Sequence, residues 1–194
     1  MTSIVAVVLA GGSARRMGGG DKTLLALRGR PMLAWVLDAL RPLPVAINAN
    51  GDPARFAPFG LPVLDDGPFA GQGPLAGVLA GLDWAHGLGA QALLTVPGDT
   101  PLIPRDLAAR LSPPPACCAS HGQPHHLVAL WPVTARTALR AWLVDDGPRH
   151  VARFGASVGM RVVDFPVGTW DPFANANTPD DLRRMADQAG DTQA

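Results

Sequence analysis

The chain has 194 residues, of which 47% are hydrophobic and 16% charged, below the roughly 25% charged of an average domain. Lysine and arginine total 16 against 16 acidic residues. A formal net charge of zero offers no global field for nucleic acid, so a small anionic ligand would need a local site. The length suits one domain with its own core, and no segment reaches the roughly 18 uninterrupted apolar residues of a membrane helix. Met1-Thr2-Ser3 carries no basic residue and the apolar run after it breaks at Gly11-Gly12, so the start does not read as a signal peptide. Cys117 and Cys118 are adjacent in an apolar stretch and read as reduced core thiols. The expectation is a cytoplasmic protein with neither nucleic acid nor membrane among its partners.

Residues 3–9 form a β-branched apolar run, the pattern of a strand buried on both faces of a parallel sheet. A glycine-rich loop follows, and Pro31 opens a predicted helix over 32–40. Short strands are predicted at 45–49 and 61–64, then a helix from Pro74 to about His86. A strand at 92–96 runs into Pro97-Gly98-Asp99-Thr100-Pro101, and a helix is predicted at 104–111. The second half predicts strands at 116–120, 127–131 and 161–165, helices at 133–144 and 149–154, and a short extended piece at 173–176. Thr178 is placed as the cap of a last amphipathic helix over 179–188, with Asp180 and Asp181 in its first turn. The alternation predicts a single-domain, doubly wound α/β fold over 1–194: a mostly parallel sheet with helices on both faces. Residues 1–111 hold the regular alternation, and 112–194 form a less regular half with the C-terminal helix.

The polar residues cluster where strands end. Gly11–Lys22, Asn48, Asp66 and Asp99 each lie at or just past the carboxyl end of a predicted strand, the edge where open α/β sheets bind ligands. Lys22 is the only lysine in the chain. It sits at the end of Gly11-Gly12-Ser13-Ala14-Arg15-Arg16-Met17-Gly18-Gly19-Gly20-Asp21. Glycines let backbone N–H groups converge on phosphate oxygens, and the compact ammonium of Lys22 suits a narrow phosphate site. The loop is not a Walker A sequence, because Asp21 stands where glycine is required before the lysine. Asp66 and Asp99, at strand ends taken as adjacent, could hold a nucleotide-bound magnesium ion, although Asp66 reads equally as a turn residue before Gly67-Pro68.

Other matches carry less. Gly71-Gln72-Gly73-Pro74-Leu75-Ala76 mimics a dinucleotide fingerprint without the preceding strand, and is read as accidental. Gly155-Ala156-Ser157-Val158-Gly159 has the spacing of a nucleophile elbow in the wrong order, helix before strand. His125 and His126 are neighbours that an extended chain would point to opposite faces, and no Cys/His zinc spacing is present.

Leu9-Ala10-Gly11-Gly12, Arg16-Met17-Gly18-Gly19 and Asp21-Lys22 together resemble the signature of the molybdenum cofactor guanylyltransferases. The likeness continues in order through Asn48-Ala49-Asn50, Asp66, Gly73-Pro74-Leu75-Ala76-Gly77, Pro97-Gly98-Asp99-Thr100-Pro101 and Asn175-Ala176-Asn177-Thr178-Pro179. The resemblance implies a Rossmann-like nucleotidyltransferase that moves GMP from GTP to the terminal phosphate of a molybdenum–molybdopterin cofactor and releases pyrophosphate. It implies nucleotide contacts at Leu9, Ala10, Gly11, Gly12, Lys22, Asn48, Asp66 and Asp99, with Mg²⁺ on Asp99. Lys22, Asp99 and Arg16 would carry the chemistry, and Arg149, Asn175 and Asn177 the acceptor side. Molybdoenzyme apoproteins or chaperones are candidate recipients of the product. Two positions depart from the family pattern, both on the acceptor side: His126 stands where a proline is common, and His150 where a second basic residue often follows Arg149. Two alternatives stand beside this reading: a cytidylyltransferase acting on the same cofactor, and a non-catalytic adaptor that binds nucleotide or cofactor.

Overall fold

The structure, a computed structural model, describes residues 3–11, 21–145, 149–168, 170–176 and 178–188. Strand β1 (Ile4–Leu9) is followed by a small hairpin, β2 (Ala26–Leu27) and β3 (Arg30–Pro31), and by helix α1 (Met32–Ala39). Then come β4 (Val45–Asn48), β5 (Val63–Leu64), α2 (Pro74–Gly87), β6 (Ala92–Pro97) and α3 (Leu107–Leu111). The second half holds β7 (Ala116–Ser120), β8 (Gln123–Pro132), α4 (Ala135–Val144), α5 (Val151–Ser157), β9 (Arg161–Asp164) and α6 (Pro179–Gln188).

One seven-stranded sheet has the order β5-β4-β1-β6-β8-β7-β9. Its pairings are parallel except at β8, which runs antiparallel to both neighbours. Alternate residues of β1 serve opposite cores, as the two faces of a pleated strand require. Ala6 and Val8 pack with Leu33 and Val36 of α1 and Leu107 and Leu111 of α3. Val5 and Val7 pack with α2, with Leu139 and Leu143 of α4, and with Phe154 of α5. Each fully buried side chain of this size stabilises by about 1.5–3 kcal/mol relative to exposure, which explains why the all-apolar strand sits centrally.

The predicted mostly parallel sheet with helices on both faces is what the chain builds. Some boundaries differ. Pro31 precedes the first turn of α1, in an extended conformation, and Met32 opens the helix. Prolines at 101 and 104 keep the next segment in turns, so α3 starts only at Leu107. The strand predicted at 127–131 extends back to Gln123, forming a hairpin with β7. Residues 173–176 form no strand. The sequence reading missed the β2–β3 hairpin and the 3-10 turns at Pro53–Phe59 and Gly67–Phe69. Thr178 does cap α6: Asp181 N–H donates to its Oγ1 at 3.1 Å, and Thr178 N–H donates to Asp181 Oδ2 at 2.8 Å.

Candidate active site

The site is built where β1, β4 and β6 end together. Leu9 is in register with Asn48 on one side and Pro97 on the other. The chain then leaves the sheet: Ala10 N–H still reaches Asn48 O at 2.8 Å and Gly98 N–H reaches Leu9 O at 3.0 Å. Asp99 follows immediately. The 3-10 turn Lys22–Leu24 lies against this edge, and Lys22 Nζ forms an ion pair with Asp99 Oδ2. Only 13% of the Lys22 side chain and 19% of the Asp99 side chain is exposed, so solvent screens this pair less than a surface one.

A second ion pair braces the turn from behind. Arg55 Nε donates to Asp21 Oδ2, while the Arg55 fork also reaches Asn50 O at 2.6 Å and Asp52 O. Arg55 thereby ties the residue before Lys22 to the loop after β4. No local pattern pointed to it, since the partners lie 34 residues apart.

A cleft of about 510 Å³ opens at this edge, and its walls include Leu9, Gly11, Lys22, Asn48, Asp66 and Asp99. Six of the expected nucleotide residues therefore meet in one place. Ala10 lies beneath, fully buried. Gly12 and Arg16, expected on the nucleotide side, and Asn177, expected on the acceptor side, lie outside the described residues. Asp66 and Asp99 do not end adjacent strands, as the sequence reading assumed. Strands β4 and β1 stand between β5 and β6, so the two strand axes are about 14 Å apart at ~4.8 Å per step. Asp66 turns to its neighbour instead, accepting from Asn48 Nδ2 at 2.8 Å and Asn50 Nδ2 at 2.6 Å.

The sequence reading also missed cleft residues. Gly71, Gly73 and Pro74 line it, so the segment set aside as an accidental fingerprint delivers the first turn of α2 to the cleft. The residue at the N-cap is Gly73, with no side-chain capping bond, which leaves that helix end as anion-favouring backbone N–H. Gly77 is required by close approach: a Cβ there would lie 2.2 Å from Asn48 Oδ1.

A second cavity of about 350 Å³ adjoins the first and shares Pro97, Leu127 and Asn175 with it. Asn175 Oδ1 accepts from Thr100 Oγ1 at 3.0 Å, and Ala176 N–H donates to Asp99 O at 3.2 Å, so the C-terminal segment is fastened to the Asp99 turn. His150 lines this cavity, whereas Arg149 stands exposed beside it. His125 and His126 both line it. They keep the expected opposition: His125 lies by Phe173 on the face of Cys118, whereas His126 Nδ1 lies 3.7 Å from Cys117 Sγ on the other face. The hairpin is bulged just beyond them: Cys118 pairs with His125 but Cys117 pairs with Ala129, which leaves 126–128 unmatched. Thr95 fills the gap, its hydroxyl lying 2.8 Å from Leu127 O and 3.3 Å from Ala129 O while accepting from Trp131 Nε1 at 3.0 Å.

The remaining sequence features are structural. Ser157 closes α5 and donates to Phe154 O at 2.7 Å, so it is no elbow nucleophile. Cys117 and Cys118 are free and buried, and burial pushes both thiols up from their ordinary value. Among the described residues no cluster of three or more His, Cys, Asp or Glu could hold a metal by itself, and no helix is long and apolar enough to cross a membrane.

Known proteins resemble this chain in sequence and fold. A family model described as the MobA-like NTP transferase domain matches residues 6–159. The molybdenum cofactor guanylyltransferase of Acidiphilium cryptum is 56% identical over 179 residues, covering 91% of each chain. That of Rhodopseudomonas palustris is 50% identical over 188 residues, covering 91% of this chain and 90% of the relative. Among solved structures, molybdopterin-guanine dinucleotide biosynthesis protein A of Archaeoglobus fulgidus superposes with a TM-score of 0.74 at 23% identity, over 97% of this chain and all of that one, a likeness of fold. The family model over residues 6–159, together with identity above half to a relative matched over 91% of both chains, places this chain in the MobA-like nucleotidyltransferase family.

Proposed function

We propose that this chain is a molybdenum cofactor guanylyltransferase: it transfers GMP from GTP to the terminal phosphate of a molybdenum–molybdopterin cofactor and releases pyrophosphate. The observation that carries the reading is the Lys22–Asp99 pair, set in a cleft at the carboxyl edge of the sheet. Relatives at 50–56% identity are named for this activity.

The nucleophile is an acceptor phosphate oxygen, already ionised at neutral pH, which forms a new bond to the α-phosphorus of GTP as the bond to the pyrophosphate oxygen breaks. No strong base is needed. The task is to hold two polyanions in line and neutralise their charge. Lys22 supplies a compact cation for the triphosphate, and the first turn of α2 adds backbone N–H groups. Asn48 commits its amide nitrogen to Leu64 O at 3.2 Å and to Asp66, so it acts as a strut for the nucleoside pocket and offers only its carbonyl oxygen. Asp66 retains lone pairs for a ribose hydroxyl. The residues fit Mg²⁺: Asp99 offers a hard carboxylate in the cleft, and with no protein cage among the described residues this suits an ion that shares its shell with phosphates and waters. Asp99 would hold the ion, which would supply positive charge to the triphosphate.

In this reading residues 1–111 bind the nucleotide, and 112–194 present the acceptor in the cavity that shares Asn175 with the cleft. We assign the activity to the cytoplasm on the strength of its two free thiols, with molybdoenzyme apoproteins or chaperones receiving the product. The test is pyrophosphate release by the purified chain with Mg²⁺ and the molybdopterin acceptor, comparing GTP with CTP. Faster release with GTP is expected. Faster release with CTP would make the chain a cytidylyltransferase, and nucleotide binding without release would make it an adaptor.

A further inference from the structure

His125, on the wall of the second cavity, ends a chain of side chains for which phosphate transfer has no need. Ser120 Oγ donates to Asp171 Oδ2 at 2.9 Å and lies 2.6 Å from His125 Nε2. A carboxylate only accepts, and a serine hydroxyl has one proton to give. With that proton turned to Asp171, the serine oxygen can only accept at its other contact. His125 Nε2 therefore carries the proton. Burial, the largest influence, lowers the His125 pKa and the neighbouring His126 adds to it, while Asp171 opposes them. The ring is thus held neutral, with Nδ1 a bare lone pair. No hydrogen bond to Nδ1 is found among the described residues, and the ring forms part of the cavity wall.

The same aspartate fixes the ring's apolar neighbour. Asp171 Oδ1 accepts from Phe173 N–H at 2.9 Å. The Phe173 ring lies 5.2 Å from the His125 ring and 5.0 Å from Phe165, edge-on to the latter. One carboxylate therefore sets both the tautomer and the platform beside it.

We propose that His125, fixed by Ser120 and Asp171, is a specificity-determining residue for the acceptor: its Nδ1 lone pair receives an N–H of the acceptor's nitrogen heterocycle. The inference rests on the guanylyltransferase reading and deepens it. A lone pair on Nδ1 repels phosphate oxygens and attracts the ring or exocyclic N–H groups of a pterin. The cavity suits such a guest. At about 350 Å³ it falls within the roughly 300–1,000 Å³ of small-molecule sites, and Leu127, Val128, Val151 and Phe173 give it apolar walls. The heterocycle would sit there, and the acceptor phosphate would meet the nucleotide where the two cavities share Pro97, Leu127 and Asn175.

The experiment compares wild type with His125→Asn, His125→Gln and Asp171→Asn in steady-state GMP transfer, using the full chain with Mg²⁺, GTP and varied molybdopterin acceptor. Asparagine places an amide oxygen near the position of Nδ1, whereas glutamine reaches only the position of Nε2 and Ser120. Recognition through Nδ1 predicts that His125→Gln raises the acceptor KM about tenfold while the GTP KM stays within about twofold, and that His125→Asn restores most of the loss. The ¹⁵N spectrum of His125 in wild type should show a protonated Nε2 and a bare Nδ1, and Asp171→Asn should disturb that tautomer and raise the acceptor KM. This readout does not depend on how well the histidine variants fold. Rescue by glutamine rather than asparagine, or a protonated Nδ1 in wild type, would overturn the proposal and leave His125 a strut for β7. A wild-type chain that transfers normally, with variants of unchanged acceptor KM, would sink this inference alone. A wild-type chain that transfers no GMP would remove the guanylyltransferase reading beneath it.

Discussion

Gly98 and Thr23 meet so closely that a Cβ added to Gly98 would lie 2.5 Å from Thr23 Cγ2. Each stands next to a member of the ion pair, Gly98 before Asp99 and Thr23 after Lys22. The contact explains how the 22–24 turn comes to rest against the end of β6. The hypothetical atom would also meet Val8 Cγ1 at 3.3 Å, and both Val8 and Thr23 are buried, so neither side yields cheaply. Gly98→Ala should therefore displace the 22–24 turn and lower kcat/KM for GTP by about tenfold or more, since small misplacements of positioning groups are costly. Unchanged kinetics in that variant would show that the pair is positioned by other contacts.

Lys22 and Asp99 should separate under mutation, although they touch. Lys22→Ala removes a charge-assisted contact to the triphosphate and should weaken GTP binding by about 1.5–3 kcal/mol. Asp99→Ala should keep much of the GTP affinity, because Lys22 remains, and lose GMP transfer through loss of the metal ligand. Titration calorimetry with GTP and a single-turnover transfer assay check the two halves. Normal transfer by Asp99→Ala would refute the metal role.

Thr95 should matter to stability beyond its size. Its hydroxyl donates one proton, with Leu127 O the nearer acceptor, and accepts from Trp131 Nε1–H, and residue and partner ring are fully buried. Thr95→Val keeps the shape and orphans these groups, at about 1–3 kcal/mol for a buried group left unpaired. Urea denaturation should show a loss of about 3 kcal/mol. A loss under about 0.5 kcal/mol would mean that the bulge does not depend on this hydroxyl.

Much of this was legible in the residues. The run of apolar β-branched side chains in Ile4–Leu9 could only be a strand covered on both faces, and it lies at the centre of the sheet. Lys22, Asn48, Asp66 and Asp99 fell at predicted strand ends, and parallel strands brought them to one cleft. What could not be read was strand order. Chain order makes β5 and β6 consecutive, while the sheet places β4 and β1 between them, so Asp66 and Asp99 were wrongly taken as adjacent. The bulge was hidden for a similar reason. Alternation along a strand assumes one residue per step, and 126–128 break that count through a register that only the pairing with β7 reveals. Arg55 reads as an ordinary solvated arginine until folding brings Asp21 to it.

The most direct test of the account is a crystal of this chain soaked with a non-hydrolysable GTP analogue and Mn²⁺, read by anomalous scattering. The account predicts a manganese peak bonded to the Asp99 carboxylate, with the triphosphate within hydrogen-bond reach of Lys22 Nζ and the nucleoside beside Asn48 and Asp66. A metal held by Asp66, or a triphosphate bound away from Lys22, would contradict it.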